Sequence, residues 1–191
     1  MTQRGKLLVI SGPSGAGKTT ICEKILSTLP NAEWSVSVTT RAPRGNEVDG
    51  RDYHFVSRER FESMQSSNEL LESAEYLGEM YGTPLKPVER ALNAGKVIVL
   101  EIDVQGGAQI SKRMPDSVRV FVLPPTMETL EARLAGRKTE SEAIQERRLA
   151  KADGEIAFAR TSGHYNHFIT NDRIDDSVRQ VIEILNQVAT V

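Results

Sequence analysis

The sequence predicts an α/β domain whose core is a parallel sheet, and three short apolar runs carry this prediction. The runs are residues 7–10, 97–103 and 119–123. They are rich in Val, Ile and Leu, as parallel strands covered on both faces are, and each precedes a turn or a helical pattern. The 191 residues are enough for one such domain with inserted subdomains.

The first run leads into a phosphate-binding sequence. Residues 12–19 read GPSGAGKT, which matches G-x-x-x-x-G-K-T, and an amphipathic helical pattern follows through about Leu29. In this motif backbone N–H groups cradle phosphate oxygens, a lysine such as Lys18 reaches the β- and γ-phosphates, and the Thr19 hydroxyl can bind Mg²⁺. A glycine-rich turn can match by chance, but here the strand and helix stand where the motif requires them. We therefore expect a P-loop NTPase fold whose nucleoside triphosphate site comprises Gly12, Pro13, Ser14, Gly15, Ala16, Gly17, Lys18, Thr19 and Thr20.

Composition excludes several classes of function. The net charge of −2 argues against a surface that binds nucleic acid polymers, so any polyanion site must be a local arginine cluster. Cys22 is the only cysteine, and we expect it to be a small core residue of the first helix. No apolar run approaches the roughly 20 residues that span a membrane, and MTQRGK leads straight into the first strand, so we expect a cytoplasmic protein.

Residues 35–86 interrupt the strand–helix alternation and predict a compact insertion. Its expected elements are a strand at 35–38, extended structure at 53–56, a helix capped by Ser57 that runs to about Gln65 with Phe61 and Met64 inward, and a hairpin over 70–81 that turns at Leu77 and Gly78. A helix of the core is expected to follow at residues 88–93, ended by Gly95.

The second apolar run ends in acidic residues, Glu101 and Asp103. Open α/β sheets bind ligands at the carboxyl ends of their strands, and an aspartate at this point of a P-loop protein holds Mg²⁺ directly or through water. The alternative is that Asp103 only caps the next helix.

The third run is followed by two helical patterns and then by the last strand and helix. Thr126 is expected to cap a helix at residues 127–135. A longer helix opens after Thr139 with Ile144, Leu149, Ala152 and Ile156 inward, and basic residues surround both helices. A strand at 168–170 and an apolar helical stripe from Ile174 to Val188 close the chain. The prediction is a core of residues 1–34, 87–125 and 161–191, the insertion 35–86 and a helical lid 126–160.

From Gly12 to Asn171 the sequence resembles the guanylate kinases, which belong to the nucleoside monophosphate kinase group. The most specific stretches are SVSVTTRAPRGNEVDGRDYHFV, the YGTP after LLESAEYLGEM, LEIDVQG and the late ITND. The resemblance implies transfer of the ATP γ-phosphate to GMP, and to dGMP, with Mg²⁺, in purine metabolism. The protein would be a monomer or a homo-oligomer, and its partners would be these small molecules.

The resemblance also implies the acceptor site. Arg41 and Arg44 match the arginines that grip the GMP phosphate, and Tyr53 and Tyr81 match hydroxyl donors to the same group. Two guanidinium groups and two phenols suit a dianionic phosphate.

Guanine recognition is implied for four further residues. Glu72 matches the carboxylate that accepts from N1–H and the 2-amino group, Ser37 and Thr83 can donate to O6, and Asp103 can accept from the 2-amino group. Adenine, which has an acceptor at N1, would leave the carboxylate without its donors.

On the donor side, Arg133, Arg137 and Arg148 match lid arginines that close over the ATP phosphates, and Asn171 matches a residue that bonds adenine. The catalytic set implied is Lys18, Arg41, Arg133, Arg137 and Arg148, and the metal set is Thr19 and Asp103. The sequence departs from the family pattern at Met80, often a tyrosine, and at Glu101, often an aspartate.

Three other functions are weighed against this one. An inactive guanylate kinase-like module that binds phosphopeptides typically lacks a working P-loop, which is intact here. A regulatory GTPase would share the D-x-x-G pattern of residues 103–106 but needs an N-K-x-D motif, which TNDR at 170–173 does not match. A kinase for another small acceptor is disfavoured by Glu72 with Arg41 and Arg44.

Overall fold

The computed structural model describes residues 4–76, 78–135 and 142–188. Of the helices in these ranges, none is both long and apolar enough to cross a membrane. The elements are, in chain order, β1 (Lys6–Ser11), α1 (Lys18–Thr28), β2 (Ala32–Trp34), β3 (Val38–Thr39), β4 (His54–Phe55), α2 (Arg58–Ser66), β5 (Leu70–Tyr76), β6 (Glu79–Pro84), α3 (Leu85–Asn93), β7 (Val97–Glu101), α4 (Val104–Arg113), β8 (Val118–Leu123), α5 (Met127–Ala135), α6 (Glu142–Thr161), β9 (His167–Thr170) and α7 (Ile174–Gln187).

The core is a five-stranded sheet with strand order β2-β7-β1-β8-β9, and its pairings are all parallel. The three predicted apolar runs form its centre, since β1 pairs with β7 on one side and with β8 on the other. Helices α1 and α7 pack in one apolar layer and α3 and α4 in a second. Cys22 is fully buried in the first layer, as predicted. The parallel arrangement brings the carboxyl ends of all five strands to one edge.

The strand predicted at residues 35–38 is wrong. Trp34 ends β2, which pairs with β7, and the Ser35 N–H donates the last bond of this ladder to the Val99 carbonyl at 3.1 Å. The chain then leaves the core sheet, and β3 starts at Val38 in a second sheet. Residues 35–37 therefore span the crossing between two sheets, and of the predicted strand only Val38 lies in a strand, where it pairs with His54 and Gly82.

The second sheet has the order β4-β3-β6-β5 and contains the predicted hairpin. Strands β5 and β6 are antiparallel, and Gly78 at their turn has a φ of 82°, which favours glycine; Leu77 lies outside the described residues. Helix α2 covers this sheet with Phe61 and Met64, both buried as predicted. Its predicted cap is also present, since the Arg60 N–H donates to the Ser57 hydroxyl at 3.2 Å.

The remaining helices follow the predictions with one shift. Helix α3 begins at Leu85, three residues before the predicted start, because Pro87 lies in the first turn, where its missing N–H is not needed. Helix α5 begins as predicted, with the Thr129 N–H donating to the Thr126 hydroxyl at 3.1 Å. Of the predicted inward residues of α6, Ala152 is buried and Leu149 and Ile156 are partly buried, while the side chain of Ile144 lies outside the described part.

Candidate active site

One cleft of about 710 Å³ joins the phosphate-binding loop, the second sheet and helix α6. Many predicted site residues line this cleft, namely Gly12, Ser14, Lys18, Thr19, Ser37, Tyr53, Glu72, Tyr81, Asp103 and Arg148. Others stand behind its wall or on its rim, as described below, and Arg137 lies outside the described residues. The fold therefore brings the predicted donor and acceptor residues into one concavity.

The loop between β1 and α1 has a backbone that requires glycine. Gly12, Gly15 and Gly17 have φ values of 149°, 86° and 92°. A Cβ atom on Gly12 would lie 2.4 Å from the Val122 carbonyl oxygen, so the loop lies tightly against the end of β8. This curled backbone before the N-terminus of α1 is the form that binds phosphate.

Lys18 and Thr19 begin α1 and already have partners in the protein. The Lys18 ammonium donates to the carbonyls of Gly12 and Pro13 at 2.8 and 3.1 Å, which folds the side chain over its own loop. Arg148 reaches this loop from α6 and donates to the Ser14 hydroxyl at 3.2 Å. Two cations therefore converge where the sequence predicts triphosphate.

The two carboxylates at the end of β7, Glu101 and Asp103, make different contacts. The Thr19 hydroxyl donates to Glu101 Oε1 at 3.0 Å. Asp103 caps helix α4, since its Oδ1 accepts from the Gln105 and Gly106 N–H groups at 2.9 and 3.0 Å. Asp103 therefore caps the helix, which is the alternative to metal binding that the sequence leaves open. It also lines the cleft.

The donor set at this point is chemically suited to Mg²⁺. Hydroxyl and carboxylate oxygens meet beside the phosphate-binding loop, and Mg²⁺ takes one or two carboxylates together with substrate phosphates and water. Among the described residues, no group of three or more His, Cys, Asp or Glu side chains forms a closed metal site. Glu101, a departure from the family pattern, is the carboxylate that contacts the P-loop threonine.

Asn171, predicted to contact adenine, makes hydrogen bonds within the protein. Its side chain is buried; Nδ2 donates to the Ala16 carbonyl at 2.8 Å, and Oδ1 accepts from the Ser177 hydroxyl at 3.0 Å. Arg133, predicted to close over phosphates, donates to the Asn171 carbonyl at 3.1 Å. Asn171 therefore ties β9 and α7 to the back of the phosphate-binding loop.

We expect Asn171→Ala to destabilise the protein by about 2–4 kcal/mol, because it leaves a buried carbonyl and a buried hydroxyl without partners. KM values for ATP and GTP as phosphate donors should rise together, since the loop and not the base contact is altered. Urea unfolding and donor kinetics check both. Unchanged stability together with a KM increase for ATP alone would show that Asn171 contacts adenine.

Arg41 lies behind the cleft wall, in contact with Tyr53 and Glu47, which both line the cleft. Arg41 is 8% exposed, and its Cζ lies 5.3 Å from the centre of the Tyr53 ring. The Tyr53 and Tyr81 rings meet edge to face, 6.2 Å apart. The hydrogen bonds to Glu47 raise the pKa of Arg41, which keeps it charged. Arg44 is exposed on the same loop.

Glu72 is a buried carboxylate of the cleft lining. It is 4% exposed, and its Oε1 accepts from the Thr83 hydroxyl at 2.7 Å. Burial raises the pKa of Glu72 to about 7, with the nearby Asp103 charge acting in the same direction and Thr83 opposing it. A Cβ on Gly106 would lie 2.6 Å from its Oε2, so a larger residue there would displace the carboxylate from this position. A buried acceptor of this kind selects a ligand that brings its own donors.

Helix α6 contributes three charged residues of one face, Arg148, Lys151 and Glu155, to the cleft. The Lys151 ammonium lies 4.4 Å from the centre of the Tyr76 ring and 3.6 Å from Glu155 Oε1. Burial raises the pKa of Glu155. The helix therefore touches the phosphate-binding loop through Arg148 and the second sheet through Lys151.

Sequence reasoning missed three of these residues. Lys151 is one of the basic residues around the two helices, and Glu155 is not singled out in the sequence, yet their spacing from Arg148 is that of one helix face. Glu47 follows the predicted arginines within one loop, but nothing in its local pattern indicates that it bonds Arg41.

Comparison with known proteins agrees with this geometry. A family model described as guanylate kinase matches residues 4–188. The guanylate kinase of Lactococcus lactis is 45% identical over 185 residues, 97% of this chain and 89% of that protein. That of Rubrobacter xylanophilus is 44% identical over 186 residues, 97% and 96% of the two chains. The crystal structure of guanylate kinase from Anaplasma phagocytophilum matches with a TM-score of 0.76 and 34% identity, over 97% of this chain and 86% of that one. The predicted P-loop NTPase fold is thereby confirmed.

Proposed function

The chain belongs to the guanylate kinase family, and we propose that it transfers the γ-phosphate of ATP to GMP and to dGMP, as a step of purine nucleotide metabolism. Family membership supports ATP and GMP as its substrates. One observation supports the assignment of residues: a single cleft is lined both by the phosphate-binding loop and by five of the predicted acceptor residues, Ser37, Tyr53, Glu72, Tyr81 and Asp103.

In this proposal the second sheet binds the acceptor. Arg41, Arg44, Tyr53 and Tyr81 hold its phosphate, and Glu72 reads the guanine N1–H and 2-amino group. The phosphate of GMP has a second pKa near about 6 and is largely ionised at neutral pH, so it can attack the γ-phosphorus without a general base. The protein's task is to offset repulsion between two anions, to align them and to exclude water.

Lys18, Arg148 and Arg133, together with Arg137, supply positive charge around the transferred phosphoryl group. Helices α5 and α6 act as a lid over the phosphate-binding loop, which the bond from Arg148 to Ser14 supports. Lid closure removes water, which strengthens each charge interaction and prevents hydrolysis.

Thr19, Glu101 and Asp103 would hold Mg²⁺. The metal would neutralise charge on the β- and γ-phosphates when ATP is bound. The hydroxyl of Thr19 donates to the Glu101 carboxylate, and Asp103 lines the same cleft, which suits an ion shared between protein and phosphates.

A coupled assay with ATP and, in turn, GMP, dGMP, AMP, CMP and UMP tests the proposal. We expect turnover with GMP and dGMP and little with the others, because only guanine presents donors at both N1 and the 2-amino group. Preference for another acceptor would refute the assignment of Glu72. Absence of turnover, with a phosphopeptide bound, would favour the inactive binding module.

Replacing Arg41 or Arg44 by alanine should raise KM for GMP, with KM for ATP little changed. A charge-assisted bond contributes about 1.5–3 kcal/mol, so the increase should be about 10- to 150-fold. Arg41 should have the larger effect because it is buried and fixed, whereas Arg44 is exposed. Steady-state kinetics with each substrate varied check this, and equal effects on the two KM values would place both arginines elsewhere.

A further inference from the structure

Glu47 holds the guanidinium of Arg41 from one end. Its Oε2 and Oε1 accept from Arg41 Nη1 and Nη2, both at 2.9 Å. Nη1 also donates to the Ala42 carbonyl at 2.8 Å. These bonds use the Nη1–Nη2 end of the planar fork, and Tyr81, a predicted phosphate ligand, also bonds the Arg41 side chain.

The carboxylate also closes the loop that carries both predicted phosphate-binding arginines. The Arg44 N–H donates to Glu47 Oε2 at 2.7 Å, and the Glu47 N–H donates back to the Arg44 carbonyl at 3.0 Å. One side chain therefore connects Arg41, Arg44 and itself in a closed hydrogen-bonded turn. Because Glu47 both accepts from the Arg44 backbone and donates to it, its carboxylate is held in place beside Arg41.

Aromatic rings bound the guanidinium on the other sides. Its Cζ lies 5.3 Å from the centre of the Tyr53 ring and 5.9 Å from that of the Phe55 ring. Arg41 is 8% exposed, while Glu47 lines the cleft. The guanidinium is thus fixed before any ligand arrives.

We infer that Glu47 is a positioning residue that aims Arg41 at the acceptor phosphate, an inference that rests on the proposed function. Two effects oppose each other. The carboxylate reduces the positive field that attracts a phosphate, but it also removes the rotamer entropy that a free arginine would lose on binding. The closed turn favours the second effect, because a carboxylate that leaves on binding would also have to give up its backbone bond to Arg44.

Glu47→Gln tests this inference, with GMP and guanosine as calorimetric ligands and steady-state kinetics as the second readout. Loss of one charge-assisted acceptor should weaken GMP binding about tenfold, with guanosine binding and KM for ATP unchanged. In the Arg41→Ala background the same substitution should add nothing, because Glu47 acts through Arg41. Glu47→Asp should restore part of the GMP affinity if its shorter carboxylate still reaches the guanidinium.

Glu69→Gln is the matched control, since Glu69 forms a similar ion pair with Arg60, outside the residues that line the cleft. Tighter GMP binding by Glu47→Gln would overturn the inference and make the carboxylate a competitor of the phosphate. Equal losses for GMP and guanosine, or a further loss on top of Arg41→Ala, would also overturn it. The preference of the wild-type protein for GMP over AMP is measured first. Its absence would refute the proposed function, whatever the Glu47 variants show.

Discussion

Lys18→Met is expected to lower kcat by about 100-fold or more while the protein stays folded, because it removes a charge aimed at the transferred phosphoryl group. The ammonium now bonds the carbonyls of Gly12 and Pro13. Both residues are buried, but Gly12 lines the cleft, so water can replace the ammonium there and the protein stays folded. Turnover at saturating ATP and GMP, with circular dichroism as the check on folding, measures the effect.

Lys24→Met provides the matched control for this prediction. Lys24 lies on the same helix and pairs with Asp175 at the surface, 2.8 Å away. The control should keep wild-type turnover, because exposed ion pairs contribute little to stability and Lys24 does not line the cleft. A folded Lys18→Met protein that keeps more than about a tenth of wild-type turnover would show that Lys18 does not act on the phosphates.

Glu72→Gln is expected to lower kcat/KM for GMP by roughly 100-fold, because an amide N–H₂ then faces a donor of guanine. Inosine monophosphate keeps N1–H but lacks the 2-amino group, so the wild-type protein should use it poorly and use AMP still less. Glu75→Gln, a change at an exposed position of the same strand, should be silent. A Glu72→Gln value within about twofold of wild type would refute the base-reading role.

The same substitution is expected to stabilise the ligand-free protein at alkaline pH. The pKa of Glu72 in the folded protein is about 7, against an ordinary value of 4.5, so its ionisation opposes folding. Its contribution to stability is fully favourable below about pH 4.5 and is lost as the pH rises through 7, at a cost of about 3 kcal/mol. Glutamine does not ionise and avoids this cost.

Urea unfolding of wild type and Glu72→Gln at pH 5 and pH 8.5, without nucleotide, measures this difference. The free energy of unfolding of the variant should rise relative to that of wild type as the pH rises. Glu72 thus lowers stability while it raises specificity for guanine. A pH-independent difference would mean that the pKa of Glu72 is the same in the folded and unfolded protein. Binding of guanosine, which has no phosphate to titrate, should strengthen through about pH 7 for the same reason.

Local sequence determined the core strands and the phosphate-binding loop. Residues 7–10, 97–101 and 119–123 lie in buried strands because short apolar runs have few other ways to remove their surface from water. The loop from Gly12 to Thr19 is equally local, since its glycines alone permit the backbone that the positive φ angles require. The cap at Ser57 and the inward pair Phe61 and Met64 likewise depend on neighbours within one helix.

Contacts between distant residues were decided only by the tertiary structure. Asn171 follows a strand and matches a base-binding residue, yet the packing of β9 and α7 against the loop buries it and assigns its amide to Ala16 and Ser177. The strand at 35–38 failed because pairing depends on which strand lies alongside, and there the chain crosses between sheets. Edge pairing and side-chain partners depend on residues far along the chain, which no local pattern encodes.

The acceptor site shows the same division. The sequence determined that Arg41, Glu72 and Tyr81 belong together through a family motif, and it determined their chemical types. Only the tertiary structure gave Arg41 its partner Glu47 and buried Glu72 against Thr83, with Gly106 making room for the carboxylate. Burial and neighbouring charge set a pKa and an orientation, and both are properties of the folded surroundings rather than of the residue.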